Sequence, residues 1–201
     1  TNTAESLHFA NLSSFTTDDY TASREAVRYL IENGHRHIGV VGGFLEEESL
    51  VRRRLKGVED EMHAHNLDFS EKDNYLECRF SVSAGYDSTK RLLAGNPGMT
   101  AVYALSDSIA IGIIRALHDM HRRVPDDISV IGFDGIEIGR YLTPRLCTMK
   151  QDTGILAEKG VEILMQKLRT DTEGDPVHEM ISSNFIRGES VRNLNGTNMK
   201  S

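Results

Sequence analysis

Val130-Ile131-Gly132-Phe133-Asp134-Gly135 is the stretch that decides the fold, because a short apolar run ends directly in an aspartate. It is followed by Tyr141-Leu142-Thr143-Pro144 and then by Thr148-Met149-Lys150-Gln151. The pattern predicts a buried strand, a loop and a second extended segment. Open parallel sheets bind ligands beyond the carboxyl ends of their strands, so Asp134 is predicted to lie at a ligand-binding edge.

Strand and helix patterns alternate on both sides of this stretch. The predicted strands are His37–Val41, a part of Asn74–Phe80, Ala101–Leu105, Ile128–Gly132 and Glu179–Ile186. The predicted helices begin after the Asp18-Asp19 cap, at Ser49, at Ser83, at Asp107 and at Thr153. Strands that are separated by helices imply right-handed βαβ units and a parallel sheet. The predicted fold class is therefore α/β, and residues 36–147 supply enough strands and helices for one doubly wound sheet.

Composition narrows the classes of function. The net charge of −7 argues against DNA binding by this chain, because affinity for a duplex comes largely from Lys and Arg. No apolar run approaches the roughly 20 residues that span a bilayer, and Thr1–Ser14 is too polar for a secretory signal. Cys78 and Cys147 are expected to be reduced thiols. A cytoplasmic protein without membrane contact is expected.

Polar and aromatic residues follow the predicted strands and should meet at one edge of the sheet. They are Gly42-Gly43-Phe44, Phe80-Ser81, Ser106-Asp107 and Phe133-Asp134. An aromatic ring with several polar groups suits a sugar or a nucleobase, because the ring stacks on an apolar face and the polar groups fix orientation.

Individual residues at this edge have competing interpretations. Asp107 is expected to act as a helix N-cap rather than as a site residue. Asp134 is expected to belong to the site. Arg54 lies at the margin of an apolar helical stripe, so it either snorkels to solvent or directs its guanidinium at a ligand.

Catalytic and metal-binding patterns are missing from the sequence. The pairs His35/His37 and His63/His65 have no cysteine or carboxylate cluster at ligand spacing. Neither phosphate-binding glycine motif nor a nucleophile elbow occurs. We expect no metal, no cofactor and no enzymatic activity.

Four stretches together resemble one family, the LacI/GalR (lactose-repressor/galactose-repressor) transcriptional regulators. They are YLIENGHRHIGVVGG (29–43), RRLKGVEDEM (53–62), AVYALSDSIAIGIIRAL (101–117) and ISVIGFDG with YLTPRLCTMKQD (128–152). The resemblance covers about Asp18 to Arg192. Each piece alone is weak, whereas the joint pattern is specific.

The resemblance implies a two-lobed core of the type I periplasmic-binding-protein-like fold, which binds a small effector between its lobes. It assigns 1–35 and 152–172 to a partial first lobe, 36–147 and 178–192 to the second lobe, and 193–201 to a frayed tail. Crossovers near Gly34, Gln151 and Asp175 would act as the hinge. It also implies a homodimer that binds operator DNA through an N-terminal helix-turn-helix outside this sequence.

The resemblance also implies roles for four residues. Arg54 corresponds to the effector-binding arginine, Phe80 to the aromatic that stacks on the effector, and Asp134 to the aspartate that accepts its hydrogen bonds. Ser106 stands where several sugar-responsive members carry Asn. Leu50 departs from the family, which often has a polar residue there, and this puts one effector contact in doubt.

Three alternatives remain open at this stage. A transporter's solute-binding protein would share the two-lobed fold, and a small α/β enzyme would use Asp134 as a base. Both flanking helices could also pack on the central sheet, in which case the chain would be complete.

Overall fold

The computed structural model describes residues 12–46, 49–170 and 175–196. The strands are β1 (Ser14–Thr17), β2 (Ile38–Gly42), β3 (Tyr75–Glu77), β4 (Ala101–Ala104), β5 (Ser129–Asp134), β6 (Cys147–Lys150), β7 (His178–Ile181) and β8 (Asn184–Ile186). The helices are α1 (Asp19–Glu32), α2 (Ser49–Ala64), α3 (Glu71–Asn74), α4 (Val82–Gly95), α5 (Asp107–Asp119) and α6 (Thr153–Thr170), with a 3-10 helix at Glu137–Tyr141.

Six strands form the larger sheet, in the order β3-β2-β4-β5-β6-β8. All neighbouring pairs are parallel except β6 with β8. The chain runs outward from β2 to β3 and then returns to the other side of β2 at β4. The strand order therefore reverses between β2 and β4, and open parallel sheets bind ligands beyond the carboxyl ends of the strands at such a point. The predicted parallel, doubly wound sheet is confirmed.

Helices cover both faces of this sheet, because its central strands are apolar on both sides. On one face α1 and α2 pack over strand residues that include Val40, Tyr103 and Ile131. On the other face α4 and α5 pack over residues that include Val102 and Val130. The two hydrophobic cores hold the carboxyl ends of the strands in fixed positions.

A second, small sheet consists of β1 paired in parallel with β7. Helix α6 lies beside it, and Lys159 of α6 forms an ion pair with Glu179 of β7 at 2.8 Å. Apolar side chains of α6 and β7 are largely exposed, namely Val161, Leu164, Met165, Leu168 and Met180. Across residues 12–46, 49–170 and 175–196, no helix has the length and apolar character needed to span a membrane.

Helix α1 corrects the expected division at residue 35. Its apolar stripe is buried in the core of the larger sheet and consists of Ala22, Ala26, Val27, Leu30 and Ile31. Gly57 of α2 allows close contact with α1, because a Cβ there would overlap the Tyr20 carbonyl. Periodicity shows that a helix buries one stripe but not which sheet it covers. The alternative in which α1 packs on the central sheet is correct for α1 and wrong for α6.

The predicted last strand, Glu179–Ile186, is two strands that join different sheets. β7 pairs with β1, whereas β8 pairs antiparallel with β6. The chain therefore passes between the two sheets at three segments, which we call the crossovers: around Asp18, around Gln151 and between Ile181 and Asn184. The expected hinge crossovers were near Gly34, Gln151 and Asp175. Between the two sheets the chain passes near Gln151 but not near Gly34 or Asp175, because α1 packs on the larger sheet and β7 pairs in the smaller one.

The first part of the predicted frayed tail is anchored. The Leu194 amide donates to the Asn33 carbonyl at 2.8 Å, and the Asn195 side chain donates to the Glu32 carbonyl at 2.7 Å. These bonds satisfy carbonyls at the end of α1, next to Gly34, whose φ is +89°. The prediction of fraying from Asn193 is wrong for residues 193–196. Residues 197–201 lie outside the described part.

His35 connects the start of β2 to the end of the chain. Its Nε2 lies 3.0 Å from the Arg192 carbonyl and its Nδ1 lies 3.0 Å from the Thr100 hydroxyl. A carbonyl only accepts, so Nε2 carries the proton and Nδ1 accepts from Thr100 in the neutral ring. Burial lowers the pKa of His35 to about 4 from its usual 6.5.

We predict that His35 makes the protein acid-sensitive. A depressed pKa means that its stability contribution is present above pH 6.5 and is lost as the pH falls through about 4. In urea unfolding, the free energy of unfolding of the wild type should fall between pH 7 and pH 4. In His35→Gln this decrease should be smaller by about 2–3 kcal/mol. His63→Gln, on an exposed side chain, is the control. An unchanged pH slope in His35→Gln would contradict the assignment.

Candidate ligand-binding site

Asp134 ends β5 at the carboxyl edge of the larger sheet, and both of its carboxylate oxygens accept hydrogen bonds. Ser106 Oγ donates to Oδ2 at 2.9 Å, and Gln151 Nε2 donates to Oδ1 at 2.7 Å. Asp134 has φ +116°, a conformation that non-glycine residues adopt at a cost of roughly 1–3 kcal/mol. The structure therefore brings Ser106 and Asp134 into direct contact and holds the carboxylate in one orientation.

Arg54 reaches the same edge from α2. It is 3% exposed, its Nε donates to Asp19 Oδ1 at 2.8 Å, and its Nη1 donates to the Leu105 carbonyl at 2.6 Å. The guanidinium also lies 3.5 Å from the centre of the Phe133 ring. Of the two interpretations open in the sequence, snorkelling to solvent is wrong. The guanidinium is held inward by the backbone carbonyl of Leu105, the residue that precedes Ser106.

Asp19 is the counter-ion of Arg54, and it was not among the predicted site residues. It is 1% exposed at the start of α1, and Arg53 Nη2 lies 3.4 Å from its second oxygen. Burial raises the pKa of Asp19, and the neighbouring Arg54 charge partly offsets that rise. The Asp18-Asp19 signal was visible in the sequence, but only as a helix cap. The cap itself is Asp18, whose side chain accepts from the Thr21 amide.

Asp107 corrects the expectation of a helix N-cap. Ser106 is the cap residue of α5, and the Asp107 carboxylate lies beneath the site. Its Oδ1 accepts from Thr148 Oγ1 at 2.6 Å and its Oδ2 accepts from the Ile136 amide at 2.8 Å. A Cβ at Gly132 would overlap Oδ1, so glycine leaves the space that this carboxylate fills. Asp107 therefore anchors the loop that follows Asp134.

Phe80 follows β3 at the same edge of the sheet, and β2 lies between β3 and β4, the strand that Ser106 follows. Its ring packs so closely on Gly43, directly after β2, that a Cβ at Gly43 would overlap it. The ring is half-buried and contacts both hydrophobic cores. No direct contact is described between Phe80 and the Ser106–Asp134 pair. Leu50 packs against the core of α1 and α2, which fits its apolar character.

The described residues also form clefts away from the Ser106–Asp134 pair. A cleft of about 550 Å³ lies at the opposite end of the sheet, and its lining includes Arg36, His37 and Asn96 but none of the four predicted site residues. Within residues 12–46, 49–170 and 175–196, no group of three or more His, Cys, Asp or Glu residues is placed to hold a metal ion.

The fold and the site edge define a class of protein. The family model described as "Periplasmic binding protein-like domain" matches residues 27–191. This chain belongs to that family. The resemblance to the LacI/GalR effector-binding core, which the sequence motifs predicted, is confirmed by its relatives.

Three relatives illustrate the match. The HTH-type transcriptional repressor PurR of Actinobacillus pleuropneumoniae serotype 3 (strain JL03) is 36% identical over 171 residues, which are 85% of this chain and 50% of the repressor. A LacI family transcriptional regulator from Enterococcus faecium, solved with bound ribose, has a TM-score of 0.85 at 25% identity, covering 94% of this chain and 68% of that one. The transcriptional regulator CelR, in complex with cellobiose, has a TM-score of 0.83 at 25% identity, covering 90% and 54%.

These relatives are transcriptional regulators rather than enzymes. The chain spans about half the length of the curated relatives that it matches.

Proposed function

We propose that this chain is the effector-binding core of a LacI/GalR-type transcriptional regulator, with a sugar or sugar derivative bound at Asp134. The observation that carries the proposal is the Ser106–Asp134 pair beside the buried Arg54, at the carboxyl ends of β4 and β5 and next to the point where the strand order reverses. A fixed carboxylate accepts hydrogen bonds from sugar hydroxyls, and a guanidinium donates to their oxygens. Phe80 supplies an aromatic face at the same edge, where the apolar side of a sugar ring would stack.

The second wall of the site would come from the lobe to which the small sheet belongs. We assign β1, α6 and β7 to this first lobe, and 18–151 with 182–196 to the second lobe. The exposed apolar side chains of α6 and β7 support this assignment, because such a face is normally covered by further structure. The whole protein would cover it with the remaining part of the first lobe.

Operator DNA is bound, in this proposal, by an N-terminal helix-turn-helix domain of the whole protein and not by this acidic chain. The regulator is a cytoplasmic homodimer that catalyses no reaction. Effector binding changes the relative orientation of the two lobes, and a ligand shifts that equilibrium only by its difference in affinity for the two states. The lobes would rotate about the three crossovers.

The test is a thermal-shift screen of the full-length protein against ribose, cellobiose, other sugars, sugar phosphates and nucleobases. A ligand that binds only the folded state should stabilise the protein by about 2.7 kcal/mol at a hundredfold excess over its Kd. Asp134→Ala should remove this shift. Asp126→Ala is the matched control, because Asp126 lies in an exposed turn and pairs only with Arg123 among the described contacts.

Two outcomes would contradict the proposal. A full ligand shift in Asp134→Ala would remove Asp134 from the site. A full-length protein that binds the ligand but has no affinity for labelled duplex DNA in fluorescence anisotropy would favour a solute-binding protein. Turnover of the bound sugar would instead favour an enzyme with Asp134 as its base.

A further inference from the structure

Gln151 lies where the chain leaves β6 for α6, and its side-chain amide is bonded at both ends. Nε2 donates to Asp134 Oδ1 at 2.7 Å, while Oε1 accepts from Thr17 Oγ1 at 2.7 Å. The Gln151 backbone amide also donates to the Asp134 carbonyl at 3.1 Å. One planar group therefore joins the site aspartate to a residue of the small sheet.

Thr17 is placed where two crossovers meet. It is the last residue of β1 and is 2% exposed. The next residue, Asp18, donates its backbone amide to the Ile181 carbonyl at 2.9 Å, at the end of β7. Through Gln151 and Thr17, the Asp134 carboxylate is thus connected to all three crossovers.

The chemistry of the three groups fixes the direction of each bond. An ionised carboxylate only accepts, so it holds the NH₂ end of the Gln151 amide. The amide oxygen is thereby directed at Thr17, whose hydroxyl donates. If the carboxylate loses its bond to Nε2, the amide is free to rotate, and its oxygen then no longer has a fixed position in front of Thr17.

We propose that Gln151 is a positioning residue that couples the occupancy of Asp134 to the crossovers. A ligand hydroxyl that takes over Asp134 Oδ1 displaces the Gln151 amide, which releases Thr17 and loosens the junction of β1 with β7. The ligand part of this inference rests on the proposed function. The connection from Asp134 to Asp18 through Gln151 and Thr17 stands on the described contacts alone, so it is tested without ligand.

The experiment is a double-mutant cycle on the full-length protein, read by hydrogen exchange of the Asp18 backbone amide with fragmentation mass spectrometry. Removing the Gln151–Asp134 bond in Asp134→Ala should speed exchange at Asp18 about fivefold, the ratio expected for one net hydrogen bond. Gln151→Met and Thr17→Val should each have a similar effect. In the Thr17→Val background, Asp134→Ala should add less than about twofold, because the connection is already broken.

Three controls keep the result specific. Thr16→Val makes the same change on the opposite face of β1, and Asp126→Ala removes a surface carboxylate; neither should alter exchange at Asp18. The Leu105 amide, bonded to the Val41 carbonyl in the larger sheet, should exchange equally in all variants. If Asp134→Ala does not fold, Asp134→Asn replaces it and should give a smaller increase of the same sign.

Unchanged exchange at Asp18 in Gln151→Met would overturn the inference, as would equal effects of the Asp134 variant with and without Thr17→Val. A protein that passes this cycle but binds no sugar would retain the role of Gln151 and lose the proposed function.

Discussion

Replacing Arg54 by methionine is expected to lower the free energy of unfolding by about 3–5 kcal/mol and to abolish effector binding. The change leaves the Asp19 carboxylate buried without its main counter-ion, because Arg54 Nε is the donor at 2.8 Å. Arg53, at 3.4 Å from the other oxygen, would compensate only in part. The Leu105 carbonyl and the Phe133 ring would also lose their contacts with the guanidinium. Urea unfolding measures the loss of stability.

A second substitution tests whether the ion pair is the cause, because its effect on stability should have opposite signs in two backgrounds. In the wild-type background Asp19→Asn should destabilise, because it removes the partner of Arg54. In the Arg54→Met background the same change should stabilise, because it neutralises an unpaired buried charge. Arg52→Met, on an exposed side chain of the same helix, should change stability by no more than about 0.5 kcal/mol. Destabilisation by Asp19→Asn in both backgrounds would show that the ion pair is not the reason.

Replacing Asp107 by alanine is expected to lower the free energy of unfolding by about 2–5 kcal/mol. The buried Thr148 hydroxyl would lose its acceptor, and an unsatisfied buried donor costs about 1–3 kcal/mol. The Ile136 amide would lose its acceptor as well, at a smaller cost because Ile136 is partly exposed. The loop after Asp134 would lose its anchor, so effector affinity should fall as well. Asp119→Ala, on an exposed carboxylate at the other end of α5, should cost at most about 1 kcal/mol. Equal effects of the two variants in urea unfolding would contradict the anchoring role.

The same carboxylate should leave a signature in the pH dependence of stability. Burial raises the pKa of Asp107 to about 6 from its usual 3.8. Its stability contribution is therefore present below pH 3.8 and is lost as the pH rises through about 6. Relative to Asp107→Asn, the free energy of unfolding of the wild type should rise by about 2–2.5 kcal/mol between pH 7 and pH 4. His35 acts with the opposite sign in this window, so only comparison with the matched variant separates the two groups.

The sequence predicted the part of the site that follows from strand order. Ser106 and Asp134 each come directly after an apolar run, and neighbouring parallel strands end at the same edge, so their proximity required no knowledge of packing. Their binding of an effector remains a prediction. The side-chain direction of Asp107 was not predictable, because it depends on the space that Gly132 leaves on another strand.

The side-chain direction of Arg54 was likewise not predictable from the sequence. Its position at the edge of an apolar stripe allowed two orientations of similar merit, and the choice depends on Asp19, which lies on a different helix. Gln151 was visible only as one letter of a family motif. Its role follows from two hydrogen bonds that join residues far apart in the chain.

The sequence by itself determined the α/β class, the alternation of strands and helices, and the family, and it predicted the carboxyl edge as the place of the site. These depend on local periodicity and on chain order, which the residues encode directly. The tertiary structure alone decided that α1 covers the larger sheet, that residues 178–186 serve two sheets, and that Asp19, Asp107 and Gln151 surround the site. Those features depend on which buried surfaces and polar groups meet across long chain separations. An amphipathic stripe or a single polar residue in the sequence does not show which element or side chain it contacts in the fold.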